Sequence, residues 1–180
     1  MESDSELLAR TASGDEHGLR LLYERHAAAV LRLLRRLTSD PGVAEEILQE
    51  TWIAVWTSAY RFRGDSSVRA WLLGVARRQA HNRLRRQRPS TVEFDAAPEP
   101  VDETADVEGE VLAAAGRDEI VAAIGRLPRT HRDVVVLALV EELPYADIAE
   151  VVGVPVGTVK SRMAKARRVL AAELPGEWVS

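Results

Sequence analysis

The stretch VGVPVGTVKSRMAKARRVL, from Val152 to Leu170, repeats apolar residues at a helical spacing. At about 100° per residue, one narrow arc holds the apolar set Val156, Val159, Met163, Ala166 and Leu170. The opposite arc has small residues at its centre and cations around them, namely Gly157, Ser161, Ala164, Lys165 and Arg168. Small side chains let a helix approach base edges in a DNA major groove, and longer basic ones reach bases or phosphates. The stretch therefore predicts an amphipathic helix suited to a major groove.

The residues before this helix predict a partner helix and a tight turn. An amphipathic pattern runs from Tyr145 to Val152, and Gly153 follows where a tight turn needs a positive φ. Val159 lies ten residues beyond Ala149. In a helix-turn-helix, a small residue lets the second helix pack closely, a glycine makes the turn, and an apolar residue locks the pair. The spacing predicts this motif, although a plain helical hairpin with a solvated basic face stays open.

The composition bears on the class of protein. The 180 residues include no cysteine, which excludes disulfides and thiolate metal sites, and the four histidines lack a metal-site spacing. No glycine-rich phosphate loop or nucleophile motif occurs. We therefore expect a binding protein and not an enzyme, with no catalytic residue, metal or cofactor.

The chain also lacks targeting and membrane signals. Its acidic start, MESDSELLAR, is unlike a signal peptide, and no apolar run approaches the roughly 20 residues that span a bilayer. We expect a soluble, cytoplasmic protein without membrane insertion.

Periodicity predicts an all-α fold of two small helical domains joined by a flexible acidic linker. The predicted helices cover about 4–12, 15–37, 41–59 and 66–87, then 117–126, 129–142, 145–152 and 155–173. The β-branched run from Val134 to Val140 is interpreted as buried helix. Between the groups, Ser90 to Glu110 carries eight acids and no base, with prolines nearby, so it cannot bury enough surface to order itself. The predicted boundaries are 1–88, 89–111 and 112–180.

Charge is sorted along the chain although the formal net charge is only -4. Nine arginines fall between Arg61 and Arg88, against a single acid, Asp65. Basic residues gather again from Lys160 to Arg168. Two cationic segments therefore flank the acidic linker, and both suit a polyanion such as DNA.

Two further stretches point to a family. AEEILQETWIAVW (44–56) followed by YRFRGDSSVRAWLLGVARRQAHNRLRRQR (60–88) resembles region 2 of extracytoplasmic-function (ECF) sigma factors of bacterial RNA polymerase. LPRTHRDVVVLALVEELPYADIAEVVGVPVGTVKSRMAKARRVL (127–170) resembles their region 4. The resemblance covers about 15–88 and 112–173, in the family's order. It implies a protein that binds core RNA polymerase, recognises -35 and -10 promoter elements and initiates transcription of a specific regulon.

The third predicted helix has an acidic face with apolar residues in it. Its predicted core arc is Ala44, Leu48, Thr51, Val55 and Ala59. The resemblance implies that the other side docks on the clamp helices of the polymerase β′ subunit, while region 4 meets the β flap. The candidate polymerase-binding residues are Asp40, Glu45, Glu46, Gln49, Glu50, Ile53 and Trp56. A merely solvated acidic face stays open as the alternative.

The fourth predicted helix has a stripe of an aromatic residue, arginines and an amide, away from Leu72, Ala76 and Ala80. Such a stripe suits unstacked single-stranded DNA, on which rings stack and cations hold the backbone. By resemblance it reads the -10 element, and the loop 61–67 receives a flipped base near Phe62. The candidates are Arg61, Phe62, Arg63, Asp65, Ser66, Trp71, Arg78, Asn82, Arg85 and Arg86. Phe62 and Trp71 could instead belong to the core, and Arg78 departs from the small or amide residue common at its place.

For the -35 element, the candidates are Thr158, Lys160, Ser161, Arg162, Lys165 and Arg168. Pro144 stands where a capping Ser or Thr is common, but proline suits a helix start and we expect the helix to form. The resemblance also implies an anti-sigma partner that covers the polymerase-binding surface.

Two other functions stay open from the sequence. A stand-alone helix-turn-helix regulator would bind duplex DNA without polymerase and use its first domain to dimerise. A sigma-like protein that has lost promoter function is the other, although both basic faces are intact.

Overall fold

The structure is a computed structural model that describes residues 1–87 and 117–174. The predicted linker, 89–111, lies outside the described residues. Helices and connecting turns make up the described parts, with no strand in either, so the all-α prediction is confirmed. The chain divides into two compact units, Met1–Val92 and Glu93–Ser180. The finer boundaries at 88, 111 and 112 stay predictions.

The first unit is a bundle of four α-helices. Its helices are α1 Asp4–Ala12, α2 Glu16–Leu37, α3 Pro41–Ser58 and α4 Val68–Gln87, with a 3₁₀ turn at Ala59–Arg61 after α3. Side-chain caps mark three helix starts. Ser3 and Glu6 form a reciprocal capping box at α1, and the Asp15 carboxylate accepts from the His17 amide. Asp40 accepts from the Gly42 amide at 2.8 Å, which confirms the predicted start of α3.

The core of the first unit lies between α2 and its three neighbours. Leu22, Leu33, Leu34, Ile47, Leu72 and Leu73 are all less than 2% exposed. On α3 the predicted arc is buried at four of its five positions, but Leu48 is half-buried. Ile47 and Trp52 are buried instead. Ile47 and Trp52 are buried because α3 packs against both α2 and α4, so that its buried band is wider than one stripe.

Charged groups fasten α1 to α2. The Asp4 carboxylate lies 2.7 Å from Nε2 of His26 and accepts from Arg25 at 2.8 Å. Partial burial works to raise the pKa of Asp4, but these hydrogen bonds and the adjacent charges outweigh it and hold the pKa below its ordinary value. Arg10 at the end of α1 donates to Asp15 at 2.8 Å. The short α1 is therefore held by ion pairs as well as by buried Leu7.

The second unit contains the predicted helix-turn-helix. Its elements are α5 Arg117–Arg126, α6 Arg129–Val135 continuing as a π-helical segment Val136–Val140, α7 Tyr145–Val152 and α8 Val156–Glu173. The run from Val134 to Val140 is helical, which confirms helix over strand; Val134 to Leu137 are completely buried, whereas residues 138–140 are half-buried. Gly153 has φ 72°, as the turn requires, and α7 forms after Pro144 without a side-chain cap. Among the described residues, no helix is long and apolar enough to cross a membrane.

Candidate nucleic-acid and partner interfaces

The predicted polymerase-binding side chains lie along one side of α3 and at its start. Glu45, Glu46 and Gln49 are exposed, Glu50 and Trp56 are half-buried, and Ile53 is 65% exposed. Exposed Ile53 among carboxylates gives this surface, which we call the α3 face, an apolar centre with an acidic border. Asp40 is exposed as well, but its carboxylate caps α3 and so also has a structural role.

The α3 face is tied to α4 by an arginine that the sequence reasoning did not single out. Nη1 of Arg83 donates to Oε1 of Glu50 at 2.9 Å, and Nη2 bonds the Glu46 carboxylate. Glu46 and Glu50 are four residues apart and therefore neighbours on one helix side. Two carboxylates at this spacing can both bond to a single cation. The spacing does not reveal which arginine of α4 faces these carboxylates, because this depends on how the two helices pack.

The predicted DNA stripe of α4 lies on its outer side. Arg78 and Arg85 are exposed, as is Arg86, whereas Trp71 and Asn82 are half-buried. Leu72, Ala76 and Ala80 are buried on the opposite side, as predicted. Asn82 is already oriented, since its Oδ1 accepts from Arg85 at 2.6 Å.

The two rings in question, Phe62 and Trp71, contact each other. Their centroids are 5.8 Å apart with an interplanar angle of 68°, which is an edge-to-face arrangement. Both side chains are half-buried, so each ring lies between the core and the surface. The pair joins the loop 61–67 to the start of α4 and leaves part of each ring accessible to a ligand.

The loop itself is polar and sharply turned. Gly64 has φ 81°, a conformation that favours glycine, and it lies between Arg63 and Asp65, which pair at 3.2 Å. Ser66 is half-buried. Just before the loop, Tyr60 is 66% exposed with the Arg61 guanidinium 5.4 Å from its ring centroid. Tyr60 was missed at the sequence level, although an aromatic residue beside arginines is the same signal that selected Trp71.

On α8 two of the six side chains predicted to contact DNA are buried. Thr158 is 8% exposed and Ser161 is 4% exposed, and the Ser161 hydroxyl donates to the Thr158 carbonyl at 3.1 Å. Ser161 was expected on the outward arc and is buried instead, because α8 packs against α5, α6 and α7 together and buries a wider arc than its apolar stripe. Lys160, Arg162 and Lys165 are half-buried and Arg168 is exposed. Conversely, Val156 of the predicted apolar stripe is 38% exposed.

Two of the four histidines contact charged side chains. His17 is exposed and hydrogen-bonds to Arg20 through Nδ1, while His26 is 8% exposed against Asp4. Within residues 1–87 and 117–174, no three His, Cys, Asp or Glu side chains converge as a metal site would need.

Comparison with known families finds matches in both units. The model described as Sigma-70 region 2 matches residues 22–90, and that described as Sigma-70, region 4 matches residues 117–170. The RNA polymerase sigma-H factor of Pseudomonas aeruginosa is 34% identical over 179 residues, covering 94% of this chain and 92% of that protein. The ECF RNA polymerase sigma factor SigM of Mycobacterium tuberculosis is 34% identical over 171 residues, covering 94% and 83%.

Two solved structures share the fold. One is CnrH in complex with the cytosolic domain of CnrY, with a TM-score of 0.69 at 21% identity over 95% of this chain and 96% of that one. The other is the sigma factor RpoE of Bartonella quintana in complex with the anti-sigma factor NepR, with a TM-score of 0.66 at 22% identity over 85% and 94%.

Proposed function

This chain belongs to the ECF group of RNA polymerase sigma factors, and we propose that it binds core polymerase through the α3 face, reads a -35 element with α8 and opens the -10 element with α4. The family acts by binding and not by chemistry of its own. The observation that carries the proposal is the accessible Phe62–Trp71 pair beside the exposed arginines of α4. Rings and cations in this arrangement suit a single strand, and a regulator that binds only duplex DNA has no need of them.

At the -10 element, a base flipped out of the nontemplate strand would stack on the accessible part of the ring pair. Flipping costs a few kcal/mol of lost stacking and pairing, and stacking on an aromatic side chain returns about 1–3 kcal/mol per base. Arg78 and Arg85 would hold the flanking phosphates. Asn82, already oriented by Arg85, offers an amide to a base edge.

At the -35 element, the proposed contacts are four of the five cations of α8, namely Lys160, Arg162, Lys165 and Arg168. We drop Thr158 and Ser161 from this face because they are buried. Small Gly157 and Ala164 are half-buried, so the helix presents little bulk between its cations. That shape allows close approach to the groove floor.

Core polymerase would meet the α3 face. Exposed Ile53 gives it an apolar centre, which interfaces bury, and Glu45 with Gln49 supplies a polar border for basic residues on the β′ clamp helices. The same surface suits an inhibitory partner. CnrH and RpoE were each solved with a bound protein, and for RpoE this is an anti-sigma factor. We propose that an anti-sigma factor covers the α3 face of this chain and that the protein acts in the cytoplasm.

The deciding experiment is transcription in vitro from a promoter library, with core RNA polymerase in the presence and absence of this protein. Dependent transcripts that share two spaced elements would support the proposal. Silence with core enzyme, together with binding of the protein alone to palindromic duplex DNA as a dimer, would favour the stand-alone regulator. Binding to core without opening any promoter would favour a sigma-like protein that has lost promoter function.

A further inference from the structure

The ion pairs of Arg83 join two surfaces that have different partners in the proposed function. Arg83 lies on α4, immediately after Asn82 and three residues before Arg86, whereas Glu46 and Glu50 lie on the α3 face. The guanidinium bonds both carboxylates. Thus a cation beside the DNA stripe neutralises two of the acids beside Ile53.

These ion pairs are open to competition. The side chain of Arg83 is 29% exposed, that of Glu46 58% and that of Glu50 38%. Both pairs are therefore partly exposed, and such pairs are weakened because water and salt screen them and because ordering two long side chains costs entropy. A basic partner helix can therefore take the carboxylates, and a phosphate can take the guanidinium, without the penalty of opening a buried pair.

We propose that Arg83 and the pair Glu46–Glu50 mask each other in the free protein, and that docking of basic polymerase residues on these two acids releases Arg83 to a phosphate of the -10 single strand. The inference rests on the proposed function and adds a coupling to it. Because coupling between two binding events is reciprocal, DNA held by Arg83 also favours polymerase docking. The free protein is thereby kept from binding single strands before it has joined the enzyme.

The test is a double-mutant cycle on the full chain with a fluorescent nontemplate-strand oligonucleotide at low salt. Glu46→Gln with Glu50→Gln should raise the affinity of the free protein about fivefold, the size expected for freeing a cation from two partly exposed pairs. In an Arg83→Gln background the same change should give only the general gain from removing two acids. Glu16→Gln with Glu24→Gln, two exposed acids of α2, measures that general gain.

DNA binding by the Arg83→Gln variant is then measured at several salt concentrations, with and without core polymerase. With polymerase, Arg83→Gln should lower the slope of log affinity against log salt by about 0.7, the value for one phosphate of a single strand, and should leave the slope of the free protein unchanged. Thermal unfolding confirms that each variant is folded.

Three results overturn the inference. The Glu46–Glu50 variant gains as much affinity without Arg83 as with it, or Arg83→Gln changes the salt slope equally with and without polymerase, or the Glu46–Glu50 variant of the free protein gains no more affinity than the Glu16–Glu24 variant. Failure of the proposed function itself is distinguishable, since then the wild-type protein with core polymerase binds no promoter strand at all.

Discussion

Replacing Lys160 or Arg168 of α8 with alanine should weaken binding to a duplex -35 element and make it less dependent on salt. Both side chains lie on the part of α8 that is accessible to a ligand. Each cation that neutralises a phosphate of duplex DNA contributes about 0.9 to the slope of log affinity against log salt. Over a fourfold range, about 50 to 200 mM, one lost contact therefore reduces the fall in affinity by about 3.5-fold.

The assay is fluorescence anisotropy of holoenzyme on a duplex carrying the upstream element, repeated at several salt concentrations. Ser161→Ala is the matched control, because Ser161 is 4% exposed and its hydroxyl donates a hydrogen bond to the Thr158 carbonyl. Losing this hydrogen bond costs about 1 kcal/mol of stability at most and removes no charge, so the slope should not change. A fall in slope for Ser161→Ala equal to that for Lys160→Ala, with both proteins folded, would show that α8 presents another face to DNA.

Three further outcomes are expected. Ile53→Ala should weaken binding to core polymerase about tenfold by removing an apolar contact, and should leave the melting temperature unchanged because Ile53 is 65% exposed; equal binding in a pull-down titration would contradict this. Trp71→Ala should reduce affinity for the -10 single strand by about 1–3 kcal/mol while duplex -35 binding stays intact; the opposite pattern would remove the ring from the -10 site. Asp4→Asn should lower the melting temperature at pH 7. Since the pKa of Asp4 is below its ordinary value of 3.8, its stabilisation is present above that pH and lost as the pH falls through the folded pKa, so wild type and variant should converge in acid; a constant difference at all pH values would contradict the ion-pair role.

Local signals predicted the helices well because the information lies within a few residues of each helix end. Asp40 and Pro41 mark the start of α3, and Gly153 marks the turn before α8, each by a backbone requirement that neighbours do not change. The uncapped start at Pro144 also follows, since proline fixes φ there. The run from Val134 to Val140 was the one ambiguous element, because a short buried apolar run suits a strand or a helix, and the structure shows that it is helical.

Burial was predicted less well because it depends on how many neighbours a helix has. A single apolar stripe describes a helix that packs on one surface, whereas α3 and α8 each pack on more than one. That is why Ile47 and Trp52 of α3, and Thr158 and Ser161 of α8, are buried outside the predicted stripes. The contacts of Arg83 also depend on tertiary packing and were even less predictable from the sequence. The periodicity of α4 does not predict which turn of α3 packs against Arg83. The pairing of Arg83 with Glu50 depends on how the two helices pack.

The uneven burial of α4 bears on how its proposed DNA face works. From Val68 to Ala76 seven of nine residues are buried, whereas Arg85, Arg86 and Gln87 at the other end are exposed. The first half is therefore fixed in the bundle. The second half continues as the same helix and is mostly half-buried until its last three residues, which are exposed. Side chains on such a rigid element lose little backbone freedom when they bind, so less of the contact energy with a strand is consumed by ordering. Arg83 lies in this second half. Breaking its ion pairs therefore makes its guanidinium available to a phosphate without moving the helix that carries it.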